Sequence, residues 1–109
     1  MANLIEQNGC IFDEEQLALS HGYEDLDPVG KESFVNHVHF EGRNRANEAM
    51  SLIEEWERQL KDQWPQHIFR LYIRAEPEEV TLRFHMVRNG VANWYDGDDE
   101  ELEVRCINA

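Results

Sequence analysis

The sequence predicts an α+β fold: one long helix packed as a second layer on a four-stranded mixed sheet, in the order β-α-β-β-β, after an acidic arm that contains a short helix. Three observations predict it. Residues 44–64 place apolar side chains at helical spacing, residues 67–107 alternate apolar and polar side chains between turn signals, and the lengths of those turns agree with the alternation. At 109 residues the chain is expected to be one domain over 1–109, with the arm at 1–30 and the core at 33–107.

The arm holds no Lys or Arg and seven acids: Glu6, Asp13, Glu14, Glu15, Glu24, Asp25 and Asp27. Asp13 is a good N-cap for a helix to about Ser20, with acids in its first turn and Gly22 to end it. "DLDPVGK" then reads as a turn. "SFVNHVHFEG", 33–42, reads as a strand with Phe34, Asn36, Val38 and Phe40 on one face and Val35, His37 and His39 on the other.

In 44–64, Ala46, Ala49, Met50, Ile53, Trp56 or Glu57, Leu60 and Trp64 form a buried stripe. Asn44 is the expected N-cap and Pro65 the stop. Such a helix is roughly 30 Å long, enough to cross a four-stranded sheet diagonally.

The chain then runs through about 67–75, a turn at 76–79, about 80–88, Asn89-Gly90, about 91–97, a turn at 98–101 and about 102–107. Asn89-Gly90 is the strongest hairpin signal, a type I′ turn. The turn lengths fix a register that gathers Phe69, Leu71, Ile73, Leu82, Phe84, Met86, Tyr95, Leu102 and Val104 on one face, to be covered by the helix. The other face then shows three cross-strand rows: Ile68, Val87, Ala92, Ile107; Arg70, His85, Trp94, Arg105; and Tyr72, Arg83, Asp96, Glu103. Arg88 is the exception, pointing with the core set at a strand end. A right-handed crossover sets 33–41 parallel to 67–75, so that Val35, His37 and His39 flank Arg70 and Tyr72.

The candidate binding residues are therefore Arg70, Tyr72, Arg83, His85, Trp94, Arg105, His37 and His39, a basic and aromatic face in an otherwise acidic chain. Three occupants compete for it. The acidic arm could fold back over it; another protein or a second copy could dock, since Arg, Trp and Tyr anchor interfaces; or an arginine pair could clamp a small anion beside a stacking ring.

Chemistry finds little else. His37 and His39 with His85 could begin a zinc site, but no Cys or carboxylate is placed to complete it, so no metal is expected. "DGDDEELE" lacks the glycine a calcium loop needs at its sixth position. No nucleophile elbow and no Gly-rich phosphate loop is present, so no catalytic residue and no cofactor is assigned, and the expectation leans away from an enzyme. Cys10 falls in a flexible start and Cys106 on the core face; two free thiols fit a reducing compartment, the cytoplasm.

The net charge of −13 disfavours nucleic acid, and no apolar run is long enough for a membrane span. A leader segment is not expected from "MANLIEQNGCIFDEE". The expected function is a small acidic protein-interaction domain without catalysis, an inhibitor- or immunity-like binder or accessory subunit for a basic protein. The alternatives are an anionic-ligand site or enzyme on the sheet face, and a structural homodimer through that face.

Overall fold

The computed structural model describes residues 2–109. Its elements are β1 (Leu4–Gln7), β2 (Cys10–Asp13), α1 (Glu14–Leu19), α2 (Pro28–Val35), β3 (His37–Glu41), α3 (Ala46–Gln63), β4 (Phe69–Glu76), β5 (Glu79–Met86) and β6 (Leu102–Ile107). The fold is α+β: β1 and β2 pair as an antiparallel hairpin, and a second sheet runs β3-β5-β4-β6, also antiparallel throughout.

The core follows from the two periodicities. Ala49, Ile53, Trp56 and Leu60 of α3 meet Phe69, Leu71, Ile73, Leu82 and Phe84 of β4 and β5 in one buried cluster, which Leu4 and Ile11 of the hairpin join. The stripe resolves on Trp56, fully buried, whereas Glu57 reaches Lys61 and Arg105. A smaller cluster of Cys10, Phe12 and Val35 lies against Leu17 and Tyr23. Cys10 is thus buried in an ordered strand and Cys106 is exposed, the reverse of the expectation for both.

One local element is unexpected and three expectations are corrected. Asn8-Gly9 makes the hairpin turn between β1 and β2, both residues at positive φ (53° and 82°), a conformation Asn and Gly tolerate best. "DPVGK" is the start of α2, not a turn: Asp27 caps it by accepting from Gly30 N at 2.7 Å and Pro28 occupies the first turn, where its missing N–H costs nothing. The strand expected from residue 33 therefore begins only at His37, after Asn36 ends α2. Asn44 does not cap α3; it sits at φ 63° and Arg45 takes the cap position without a side-chain bond.

The sheet also differs. β3 pairs with β5, not β4, so His37 lies opposite Arg83 and His39 opposite Thr81 rather than beside Arg70 and Tyr72. Residues 91–97 form no strand. The chain turns at Asn89-Gly90 but leaves the sheet plane and crosses its outer face, and β6 pairs with β4 instead. That change reverses the parity of β6: Arg70 faces Cys106, Leu71 faces Arg105 and Tyr72 faces Val104. Leu102 and Val104 consequently leave the expected core face, and Tyr95 lies in the crossing loop. Arg105, Glu103 and Ile107 come to the α3 side, where Arg105 donates to Glu57 at 3.0 Å.

Side chains substitute for a missing strand along the half of β5 that β3 does not reach. Beyond the end of β3, Phe84 N donates to Asn36 O at 3.2 Å and Met86 N donates to the Glu32 carboxylate at 2.9 Å. The same two residues hold β2: Ile11 N donates to Glu32 at 2.7 Å, Asp13 N donates to Asn36 Oδ1 at 2.8 Å, and Asn36 Nδ2 donates to Ile11 O at 2.9 Å. Glu32 and Asn36 are both fully buried, so each bond satisfies a group that water cannot reach.

Candidate binding groove on the outer sheet face

Alternation along β4 and β5 places Arg70 opposite His85 and Tyr72 opposite Arg83, as the turn between them requires. The acidic arm does not cover this face. The loop that follows β5 does, and the face's own residues tie it down. Trp94 N donates to His85 Nε2 at 3.3 Å, and the Trp94 ring stands edge-on to Tyr72 with centroids 5.0 Å apart. Arg70 donates to Tyr95 O at 3.0 Å and to Asp96 at 2.6 Å, while Arg74 donates to Asp99 at 2.6 Å. Tyr72 and His85 are thereby shut away from solvent, 2.9 Å apart through Oη and Nε2.

His85 Nδ1 lies 2.9 Å from Met86 O, so it carries the proton and leaves Nε2 as the acceptor that receives the loop. Burial depresses the His85 pKa and raises that of Tyr72, which keeps both neutral.

What the loop leaves open is a groove of about 340 Å³ bordered by His37, His39, Thr81, Arg83 and Trp94, with Glu76 and Glu79 on its acidic side. Arg83 is its central charge. It donates to Ser33 O at 2.6 Å, lies 3.0 Å from His37 Nε2, and stacks under the Trp94 ring at 4.1 Å. Ser33 O belongs to the last turn of α2, whose carbonyls favour a cation. Among the described residues Arg83 forms no ion pair, in contrast to Arg70, Arg74, Arg88 and Arg105. Burial pulls its pKa down to about 10. His39 pairs with Glu79, and its ring lies 4.4 Å from that of His37.

Seven of the eight sequence-derived residues thus share this face, and five of them, His37, His39, Tyr72, Arg83 and Trp94, line the groove; Arg105 is on the opposite side. Arg88, the parity exception, pairs with buried Glu32 at 2.6 Å and donates to Gly9 O at 3.0 Å. Among the described residues no three His, Cys, Asp or Glu side chains gather to hold a metal ion.

His37 makes the groove sensitive to acid. Burial, then Arg83 and His39, lower its pKa from 6.5 to about 4, against an opposing pull from Glu79. The unfolded chain therefore takes up this proton first as pH falls. Stability is expected to be full above pH 6.5 and to decline from there toward about 4, with buried His85 acting in the same direction. Thermal melts of His37→Gln across that window should show a shallower decline than the parent. Asp96 and Asp99, held below 3.8 by hydrogen bonds, act only at lower pH.

A second groove, of about 420 Å³, lies between α1, β3 and α3. Val38, Phe40 and Leu52 give it an apolar lining, and Glu15, Glu48 and Glu55 give it carboxylates. Nothing in the sequence alternation pointed to it, because α1 comes to β3 and α3 only through the unread hairpin.

Together these features define an acidic α+β protein whose outer sheet face is strapped by one loop and whose helical side carries an acidic groove. The chain belongs to the Uncharacterized protein PM0498 family, whose model matches residues 2–107. No curated protein and no solved structure matches it. Among the described residues no helix is long and apolar enough to cross a membrane.

Proposed function

We propose that the protein is a non-catalytic binder that docks a basic protein partner by electrostatic complementarity, as an inhibitor- or immunity-like domain or an accessory subunit does. One observation carries this reading: seven of the ten cationic side chains (Arg43, Arg45, Lys61, Arg70, Arg74, Arg88 and Arg105) are already engaged by carboxylates of the chain itself. The surplus of thirteen negative charges is left for the surroundings. Part of it lines the α1–α3 groove, where Glu15, Glu48 and Glu55 are exposed or half-buried. A carboxylate rim over an apolar lining suits an apolar side chain flanked by Lys or Arg. Tyr72, His85 and Glu32 are buried, with Tyr72 hydrogen-bonded to His85 and Glu32 accepting from Met86 N.

The test is affinity capture at two ionic strengths, with wild type and with Glu15→Lys/Glu48→Lys. A basic protein should be recovered by wild type, lost with the charge reversal, and bound with an on-rate that falls at least about 10-fold as salt rises. Equal recovery by both proteins would refute the docking site.

A second reading rests on Arg83, the groove arginine that, unlike Arg74, pairs with no carboxylate among the described residues. In that case the outer groove takes a small carboxylate or phosphate. A rise in Tm with such an anion, absent in Arg83→Gln, would favour it over the first.

A further inference from the structure

β6 is the last strand of its sheet and is hydrogen-bonded on one side only, to β4. Among the described residues, the one other backbone bond to it is Leu102 N donating to Asp99 O at 3.1 Å. Other exposed edges among the described residues are attended at least in part. Glu32 and Asn36 close the free half of β5, and Arg45 donates to Glu41 O at the end of β3. β6 carries no Pro, no Lys and no bulge over its six-residue register, and its two charged side chains, Glu103 and Arg105, are of opposite sign and pair with each other.

Its side chains complement themselves. Antiparallel pairing of two β6 strands about a twofold axis at Val104 sets Val104 against Val104 of the second copy. Glu103 then meets Arg105 of that copy twice over, and Leu102 meets Cys106. The register is selective. A shift of one step either way on the same face sets Glu103 against Glu103 or Arg105 against Arg105, and like charges directly opposite destabilise a pair. The faces also match. Leu102, Val104 and Cys106 share the outer face of the sheet, and Glu103 and Arg105 share the α3 face, where they are already paired at 2.5 Å. The half-exposed apolar row, with Val104 at 37 % exposure, would become continuous across the axis.

We propose that β6 is a self-association edge, by which two copies of this chain join their sheets antiparallel about Val104. The pairing is separate from the acidic docking surface, which lies at α1. It must overcome repulsion between two chains of −13 each, so it is a contact for physiological salt, where charges beyond about 8 Å are screened.

Sedimentation velocity over a concentration series at that ionic strength tests it. The weight-average mass should rise from 12.9 kDa toward twice that value. Glu103→Arg should abolish the rise, as should Arg105→Glu, and an equal mixture of the two variants should restore it, because each supplies the charge the other lacks. Where Arg105→Glu, which also loses Glu57, does not fold, Val104→Cys takes its place: oxidation should yield a covalent dimer, since residues opposed in an antiparallel pair are within disulfide reach. A mass that stays at one chain up to about 1 mM, a dimer indifferent to Glu103→Arg, or a Val104→Cys protein that remains monomeric on oxidation would each overturn the proposal.

Discussion

Glu32→Ala should lower the unfolding free energy by about 3–5 kcal/mol, the cost of stripping one partner from a buried ion pair. Glu32 has no exposure, and its two oxygens accept from Ile11 N, Met86 N and Arg88 Nη1 at 2.7, 2.9 and 2.6 Å. Truncation orphans two buried amides, each worth about 1–3 kcal/mol unsatisfied, and leaves Arg88 half-buried beside no anion. Against a total stability of 5–15 kcal/mol typical of such domains, much of the fold's margin would go. Differential scanning calorimetry should record a fall in Tm of at least about 12 °C. Glu32→Gln should fall between, since the amide keeps one acceptor but turns a donor toward an N–H. A Glu32→Ala protein melting within a few degrees of the parent would mean that water replaces the carboxylate, and the hairpin would not be welded to the main sheet in the way the geometry indicates.

That residue also marks where the sequence is hard to read. Alternation survives wherever a strand is flanked by strands, so the faces of β4 and β5 and the Arg70–His85 and Tyr72–Arg83 rows follow from the sequence. It fails where a side chain does the work of a strand. Glu32 and Asn36 stand in "KESFVNHVHF", whose apolar spacing suits a strand as well as a helix. Only Asp27-Pro28, an N-cap followed by a first-turn proline, distinguishes the two, and Pro-Val-Gly resembles a turn just as well. The error at β6 has a different origin. A register built by counting turns passes each mistake to the next strand, so one strand at 91–97 that does not form reverses every face after it.

The same loop explains the arginines. Arg70, Arg74 and Arg83 stand on one face because strand side chains alternate, but their purpose divides. Arg70 and Arg74 bind Asp96 and Asp99 and hold the strap on the sheet, whereas Arg83 is left facing the groove. A site on a sheet face is therefore only partly legible from alternation. Alternation says which side chains share the face, while the loop that crosses it decides which of them remain available.

Trp56→Ala carries the other large expected effect, about 3–5 kcal/mol, the range for removing a large aromatic from a packed core. Trp56 is at zero exposure in the middle of α3, edge-to-face with Phe84 at 4.8 Å. Its Nε1 donates to Asp13 Oδ2 at 2.9 Å, while Asp13 Oδ1 caps α1 by accepting from Glu15 N and Gln16 N. Asp13 is itself only 2 % exposed, so the indole joins the long helix to both the hairpin and the start of α1 through one carboxylate. Trp56→Phe separates the two contributions. It keeps a ring against Phe84 and removes the donor, and it should cost about 1.5–3 kcal/mol, the worth of a hydrogen bond to a charged acceptor. Urea titration of both variants measures the difference. Because α1 borders the acidic groove, Trp56→Phe should also loosen that wall, seen as faster amide exchange at Glu15 and Gln16 than in the parent. Unchanged exchange with a full loss of stability would place the contribution of Trp56 in core packing alone, and the groove would then be held by Leu4 and Ile11 in the cluster under α3.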